Sequence, residues 1–525
     1  VHRCQPTAIP APPRTRARRF RRARARGGAA ALALTVLLVA APATEAGAVP
    51  GTAPVVTAPA PPGLEQFYAQ EIVWTPCGVA AECATVRAPL DHADPAAGEI
   101  DLALVRVAST GAAARQGSLL VNFGGPGGSG TAGIEGWAAG LDPSVRAAYD
   151  VVGFDPRGVG ASTAVECVDG PTIDAWRAAP VDPDTPEGLA ERIARAEQFA
   201  AACAATTGPL LGEVDTDSAA RDLDLLRAAL GDEQLNYLGY SYGTQLGAAY
   251  TELFPERTGR FVLDAAVDPA LGIAEMTVQQ AAAFERSLRV FAASCLPQDG
   301  CPLEGTVDEA VAQIDALLER LETQPLPTAD GRPLTADDAF AGIYTPLYEE
   351  RIWWLLGQAL ERALDHGDGT ALMFLADAAY GRNPDGTYTN ADEANAAVNC
   401  LDYPVDDSPA AMAALDARLQ EVAPTLGDRF SHDEVTCGVW PYEPVSPPAP
   451  VDGAGAGPVL VVGGTGDPAT PYAWSRALAA QLEGGHLLTR EGEGHGSYLR
   501  GNLCVDEVVN GYLLQGVLPA QERTC

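Results

Sequence analysis

The sequence predicts an α/β fold, a mostly parallel sheet with helices on both faces and an inserted, mainly helical cap. Three observations lead there. Short apolar runs alternate with helical patterns through the first half of the chain, the signature of parallel strands joined by crossover helices. A serine flanked by glycines stands where one such run passes into a helix. The strand-like runs stop near residue 268 and resume at 458, with helical periodicity between them.

Taken from the amino terminus, the chain first shows an asymmetry of charge. All 34 basic residues are Arg, and nine of them precede position 49, although the formal charge of the whole is −35. The Arg-rich stretch runs into apolar residues 29–41 and then Ala46-Gly47-Ala48. This order reads as an export signal over 1–48; the apolar span is too short for a membrane anchor and ends at Pro42. No stable membrane insertion is therefore expected once the signal is removed. The acidic remainder repels phosphate backbones, which argues against nucleic acid as a partner. Residues 49–66, rich in Pro, Ala, Val and Thr, read as a flexible linker.

The folded part is expected from residue 67, with 67–268 as the first part of the core. Residues 99–107 alternate like a half-exposed strand. Residues 118–122, 150–154, 235–238 and 260–263 are near-continuous apolar runs that suit strands covered on both faces. Residues 269–455 form the expected cap, with helical periodicity over 307–321 and 351–364. The core resumes over 456–525, beginning with the run at 458–462.

Export implies an oxidising compartment, and ten cysteines remain beyond the signal. They fall as near neighbours, so consecutive pairing is expected: Cys77 with Cys83, Cys167 with Cys203, Cys295 with Cys301, Cys400 with Cys437, Cys504 with Cys525. No C-x-x-C pair or H-E-x-x-H helix occurs, and no metal site is expected.

The strongest chemical signal is Gly239-Tyr240-Ser241-Tyr242-Gly243, between the run at 235–238 and the helical residues 245–253. A serine at a tight strand-to-helix turn, with glycines two before and two after, is the nucleophile elbow of the α/β-hydrolase fold. The serine needs a base, and the base needs a group to fix its tautomer. In this fold these partners follow in the order acid, then His. Asp467 lies in Gly466-Asp467-Pro468 after the last strong apolar run, and His495 lies in Gly494-His495-Gly496. His92, His366 and His432 precede Asp467 and break the order, while His486 falls inside a strand-like run. For the oxyanion hole, the N–H of Tyr242 is one expected donor and that of Gly125, in the glycine loop 124–130, the other. No cofactor is expected, because such a triad supplies nucleophile, base and charge stabilisation itself.

Together these motifs resemble the secreted bacterial tripeptidyl aminopeptidases, relatives of the prolyl iminopeptidases. The resemblance rests on Trp74-Thr75-Pro76-Cys77, Gly124-Gly125-Pro126-Gly127-Gly128-Ser129-Gly130, Gly153-Phe154-Asp155-Pro156-Arg157-Gly158, Ala220-Arg221-Asp222-Leu223-Asp224, the elbow, Asn399-Cys400-Leu401-Asp402, Asp467-Pro468-Ala469-Thr470-Pro471 and the His495 motif. It implies an exopeptidase that releases short peptides from free amino termini, with peptide substrates as its partners. Phe123 departs from the Pro or His common before the glycines in relatives. Asp402 is a candidate to hold the substrate ammonium, against the alternative of a helix-capping or surface carboxylate. Two other readings stay open: an esterase or small-molecule hydrolase with the same triad, and an exported binding protein on an inactive scaffold.

Overall fold

A strand can be buried on both faces only where its residues are apolar throughout, and the runs that satisfy this condition make the centre of the sheet. The computed structural model describes residues 60–525 apart from 112–114, 183–184, 433 and 520–522. The expected signal over 1–48 and most of the linker lie outside the described residues. Ten described strands form one sheet: β1 (Thr75–Pro76), β2 (Ala81–Pro89), β3 (Glu99–Val107), β4 (Gly117–Asn122), β5 (Tyr149–Phe154), β6 (Leu235–Tyr240), β7 (Thr258–Asp264), β8 (Val459–Gly466), β9 (Gly485–Glu493) and β10 (Arg523–Thr524). Their order is β1-β2-β3-β5-β4-β6-β7-β8-β9-β10. From β5 to β10 all neighbours are parallel, while β1 to β3 meet each other and β5 antiparallel.

β4 and β5 are buried along their whole length, whereas β3 alternates at the flank. The chain runs outward from β4 to β5 and then returns to the opposite side of β4 as β6. That reversal opens a crevice at the carboxyl ends of β4 and β6, the usual place for a site in an open parallel sheet. The register puts Asn122 beside Gly239 there, so the glycine loop and the elbow leave the sheet as neighbours.

Between β7 and β8 the chain forms the helices Ile273–Cys295, Val307–Thr323, Ala336–Tyr344, Trp353–His366, Thr370–Ala379, Ala391–Asp402 and Pro409–Val422. The apolar faces of the first five share a core of their own that includes Phe284, Leu317, Leu356 and Leu372, whereas Ala391–Asp402 packs into the main core through Ala397, Val398 and Leu401. Helix starts here carry local signals, as in the Thr306–Glu309 capping box that satisfies orphan amides of Val307–Thr323.

Two boundaries differ from expectation. Leu64 and Phe67 are buried in the main core, and the helix Glu65–Tyr68 places the ordered chain ahead of residue 67. The helix Gly170–Arg177, expected in the core, packs instead on the inserted helices, and Pro186–Thr207 bridges the two, with Ala200 and Cys203 in the main core. Arg177 reaches Asp338 at 2.8 Å, Arg382 reaches Asp174 at 2.8 Å, and Ala196 joins an apolar cluster with Met412 and Val435. The cap is thus assembled from two separated stretches of chain. The ten described cysteines are joined as Cys77–Cys83, Cys167–Cys203, Cys295–Cys301, Cys400–Cys437 and Cys504–Cys525. Among the described residues no helix is long and apolar enough to cross a membrane, and no acidic, His or Cys cluster could hold a metal ion.

Candidate active site

The elbow owes its shape to its two glycines. A β carbon on Gly239 would lie 2.3 Å from the carbonyl oxygen of Gly243, and one on Gly243 would lie 2.7 Å from Asn122 Oδ1. Strand and helix can pass this closely only without those side chains. Ser241, between them, is forced to φ 56° and ψ −128°, a conformation that costs a non-glycine residue energy and persists only when its surroundings impose it. The surroundings do so through three bonds: Ser241 N–H donates to Asp264 O at 3.0 Å, while Thr244 N–H and Thr244 Oγ1 donate to Ser241 O at 2.8 and 2.6 Å. The serine stands ahead of the helix Tyr242–Leu253, whose first amides have no partner within the helix.

Asp467 follows β8 and is buried. Its Oδ1 accepts the amides of Ala469 at 3.0 Å and Thr470 at 2.9 Å, and its Oδ2 accepts that of Gly496 at 3.3 Å. Both oxygens also face Nδ1 of His495, at 2.9 and 3.0 Å. A carboxylate so placed assigns the ring proton to Nδ1 and leaves Nε2 with a lone pair. Nε2 bonds to no described group, so it is free to accept a proton. No hydrogen bond joins the Ser241 hydroxyl to the ring; contacts of this kind are often long until a substrate tightens them. Ser241, Thr470 and Tyr348 line one cavity, and the Tyr348 ring meets the His495 ring at 5.4 Å between centroids.

The glycine loop completes the floor. Gly124, at φ 93°, sits so near the elbow that a β carbon there would lie 2.6 Å from Tyr240 O and 2.9 Å from Ser241 Cβ. Asp155 braces the loop by accepting from Ser129 Oγ at 2.7 Å, Thr131 N at 2.9 Å and Ala161 N at 2.8 Å. Gly125 and Tyr242 line the cavity beside Ser241, and neither amide donates to a described group. Two amides beside a serine hydroxyl can stabilise an oxyanion, and an imidazole–carboxylate pair whose neighbours Thr470 and Tyr348 line the same cavity can move a proton.

Residues 423–525 match the family described as TAP-like protein. Serine protease Hip1 of Mycobacterium tuberculosis (strain ATCC 25618 / H37Rv) is 37% identical over 482 residues, 88% of this chain and 92% of that protein. Carboxylesterase B of the same organism is 40% identical over 454 residues, covering 85% and 86%. Tripeptidyl aminopeptidase of Streptomyces coelicolor (strain ATCC BAA-471 / A3(2) / M145) is 33% identical over 464 residues, covering 85% and 83%. The chain belongs to this TAP-like family. It is a serine hydrolase of the α/β-hydrolase fold.

In this TAP-like hydrolase the cavity over Ser241 has a volume of about 870 Å³, within the size range of small-ligand sites. Its upper walls come from the inserted helices. The amide side chains Gln280, Asn395 and Asn399 and the carboxylates Glu275, Asp406 and Glu434 line the cavity from the inserted segment, and Gln245 lines it from the helix Tyr242–Leu253. Hydrogen bonds from Gln279 and Arg418 hold the Glu275 carboxyl below its usual range, so it is ionised.

Asp402, expected to hold a substrate ammonium, does not line this cavity. It is 1% exposed at the end of the helix Ala391–Asp402, with Oδ1 accepting Thr216 N at 3.0 Å and Oδ2 accepting Thr216 Oγ1 at 2.5 Å. Both its oxygens are thus taken by the first residue of the helix Thr216–Ala229, whose N-cap is Asp215. Burial pushes its carboxyl up to about 8, against the lowering effect of the Thr216 bonds. The same Thr216 hydroxyl shares a hydrogen bond of 2.7 Å with the Tyr242 phenol.

Other family motifs prove structural. Arg157 grips Asp222 with Nε at 2.7 Å and Nη2 at 2.8 Å, both side chains buried, and also donates to the carbonyls of Pro89, Leu90 and Glu213. Asp264 escaped the sequence reading. Its buried Oδ2 accepts the amides of Ser497 and Tyr498 at 2.9 and 2.7 Å, anchoring the loop that carries His495. Burial raises its carboxyl above the ordinary range. The signal for it was its place at the end of β7, beside the nucleophile strand.

Proposed function

We propose that this serine hydrolase is an exported exopeptidase that removes short peptides, tripeptides foremost, from free amino termini. Ser241 attacks the scissile carbonyl while Nε2 of His495 takes its proton, with Asp467 holding the imidazolium that forms. The amides of Gly125 and Tyr242 receive the negative oxygen of the tetrahedral intermediate. His495 then returns the proton to the leaving amine, and water releases the peptide from the acyl-enzyme by the same steps in reverse order. Export by the amino-terminal signal and the paired cysteines belong to the same reading.

The observation that carries it is the cavity itself. Ser241 opens onto a chamber roofed by inserted helices and lined by amides and the carboxylates Glu275, Asp406 and Glu434. Amides match a peptide backbone, and carboxylates match its terminal ammonium. Relatives named serine protease and tripeptidyl aminopeptidase support the choice. The test is a panel of tripeptidyl, dipeptidyl and aminoacyl anilides, each with free and acetylated amino termini. Faster cleavage of free tripeptidyl anilides is expected; equal cleavage of the acetylated forms would remove the exopeptidase reading.

One observation favours a second reading, an esterase: the 40% identical relative is named Carboxylesterase B. Acyl esters in the same panel decide, since turnover of esters alone would replace the peptidase assignment. No observation favours a binding protein without catalysis.

A further inference from the structure

We infer that Tyr348, a residue of the inserted cap, positions the imidazole of His495 for proton transfer. The inference rests on the reading of His495 as the base.

Asp467 fixes the imidazole at Nδ1 only. A ring held at one atom can still swing about that contact and carry Nε2 away from the serine. Two further constraints are needed, one on the backbone of the residue and one on the plane of its ring. Tyr348 supplies both. Its carbonyl accepts the His495 N–H at 2.7 Å, and its ring meets the imidazole at 88° between planes and 5.4 Å between centroids. Edge-to-face packing of this kind is directional and opposes rotation of either ring.

Tyr348 is itself held rigidly. Its phenol shares a 2.6 Å hydrogen bond with that of Tyr344, and its ring packs 5.3 Å from Phe284 in the cap core. The next residue, Glu349, receives Arg500 from beyond the His loop at 3.4 Å. Other ties between the cap and the catalytic loops stop short of the base: Gln280 donates to Ala469 O at 2.7 Å, and Arg286 pairs with Glu493 at 2.8 Å. Tyr348 touches the base itself. A cap that merely walled the cavity would act on substrate affinity, whereas a cap that orients the base acts on the chemical step.

The test compares Tyr348→Phe, Tyr348→Leu and Tyr348→Met, read per folded molecule from thermal unfolding. Two rates are measured: anilide turnover, and labelling of Ser241 by a small alkyl fluorophosphonate that does not span the cavity. Misplacing a reacting group by about 1 Å costs on the order of 10²-fold, so Tyr348→Leu and Tyr348→Met should lower kcat and the labelling rate at least about tenfold, with KM within about twofold. Tyr348→Phe, which keeps the ring, should stay within about threefold of the parent on the same scale. Labelling at the parental rate with only KM raised would overturn the inference and leave Tyr348 as a cavity wall. An equal loss in all three variants would also overturn it, because the aromatic ring would then be irrelevant. His495→Ala serves as the separate check: if it labels at the parental rate, the base assignment fails rather than the role of Tyr348.

Discussion

Asp467 presents both carboxylate oxygens to Nδ1 of His495, at 2.9 and 3.0 Å, while three backbone amides fix the carboxylate from behind. The pair selects one tautomer. Asp467→Asn keeps the shape but offers an amide that can donate to Nδ1, which then holds the ring proton on Nε2, where it cannot accept from serine. A fall in kcat of about 10⁴-fold is expected, with KM little changed. Steady-state kinetics on a tripeptidyl anilide check this; a loss below tenfold would contradict it.

Gly124→Ala tests the contact between the glycine loop and the elbow. The new methyl would stand 2.9 Å from Ser241 Cβ on a backbone at φ 93°, so the serine or the loop must move. Displacement of about 1 Å is expected to cost on the order of 10²-fold in kcat. Gly133→Ala is the control, since its added carbon would meet nothing within 4 Å although its φ is also positive. Activity of that variant should be near parental.

Asp402 predicts a pH dependence of stability. Its folded value, about 8, lies above the ordinary carboxyl value of about 3.9, so between these limits the native state holds a proton that the unfolded chain has released. The contribution is therefore full below about pH 4, falls as pH rises, and is lost above about pH 8. Denaturant midpoints measured across this window should decline, and Asp402→Asn should flatten that decline. An identical slope in the variant would refute the assignment.

Cys400 and Cys437 both line the cavity, 37 residues apart in sequence. In the chain-entropy account a bridge of that span stabilises by about 4 kcal/mol. Replacing both by Ser is expected to lower thermal stability accordingly and to raise KM, because the wall between the helices Ala391–Asp402 and Glu434–Gly438 is no longer tied. Thermal melts and kinetics on the double variant check both effects.

Much of the core was readable from sequence because its signals are local. A strand buried on both faces must be apolar along its length, as β4 and β5 are, and the elbow demands glycine at 239 and 243 for reasons of contact between near neighbours. The order of Ser241, Asp467 and His495 follows from the topology of the fold. What escaped depends on depth and on distant partners. Asp402 sits in a motif that carries the family resemblance, yet only the fold reveals that Thr216, 186 residues earlier, absorbs both its oxygens. The ion pairs that draw residues 170–177 onto the cap, and the Tyr348 carbonyl that meets His495, likewise join positions with no mark in local periodicity.

The most direct measurement is intact-mass analysis after fluorophosphonate treatment, followed by peptide mapping and residual peptidase activity. A single adduct on Ser241, formed in proportion to the loss of tripeptidyl anilide cleavage and absent from Ser241→Ala, is the expected result. Full activity retained by Ser241→Ala, or inactivation with the adduct on another residue, would contradict the account.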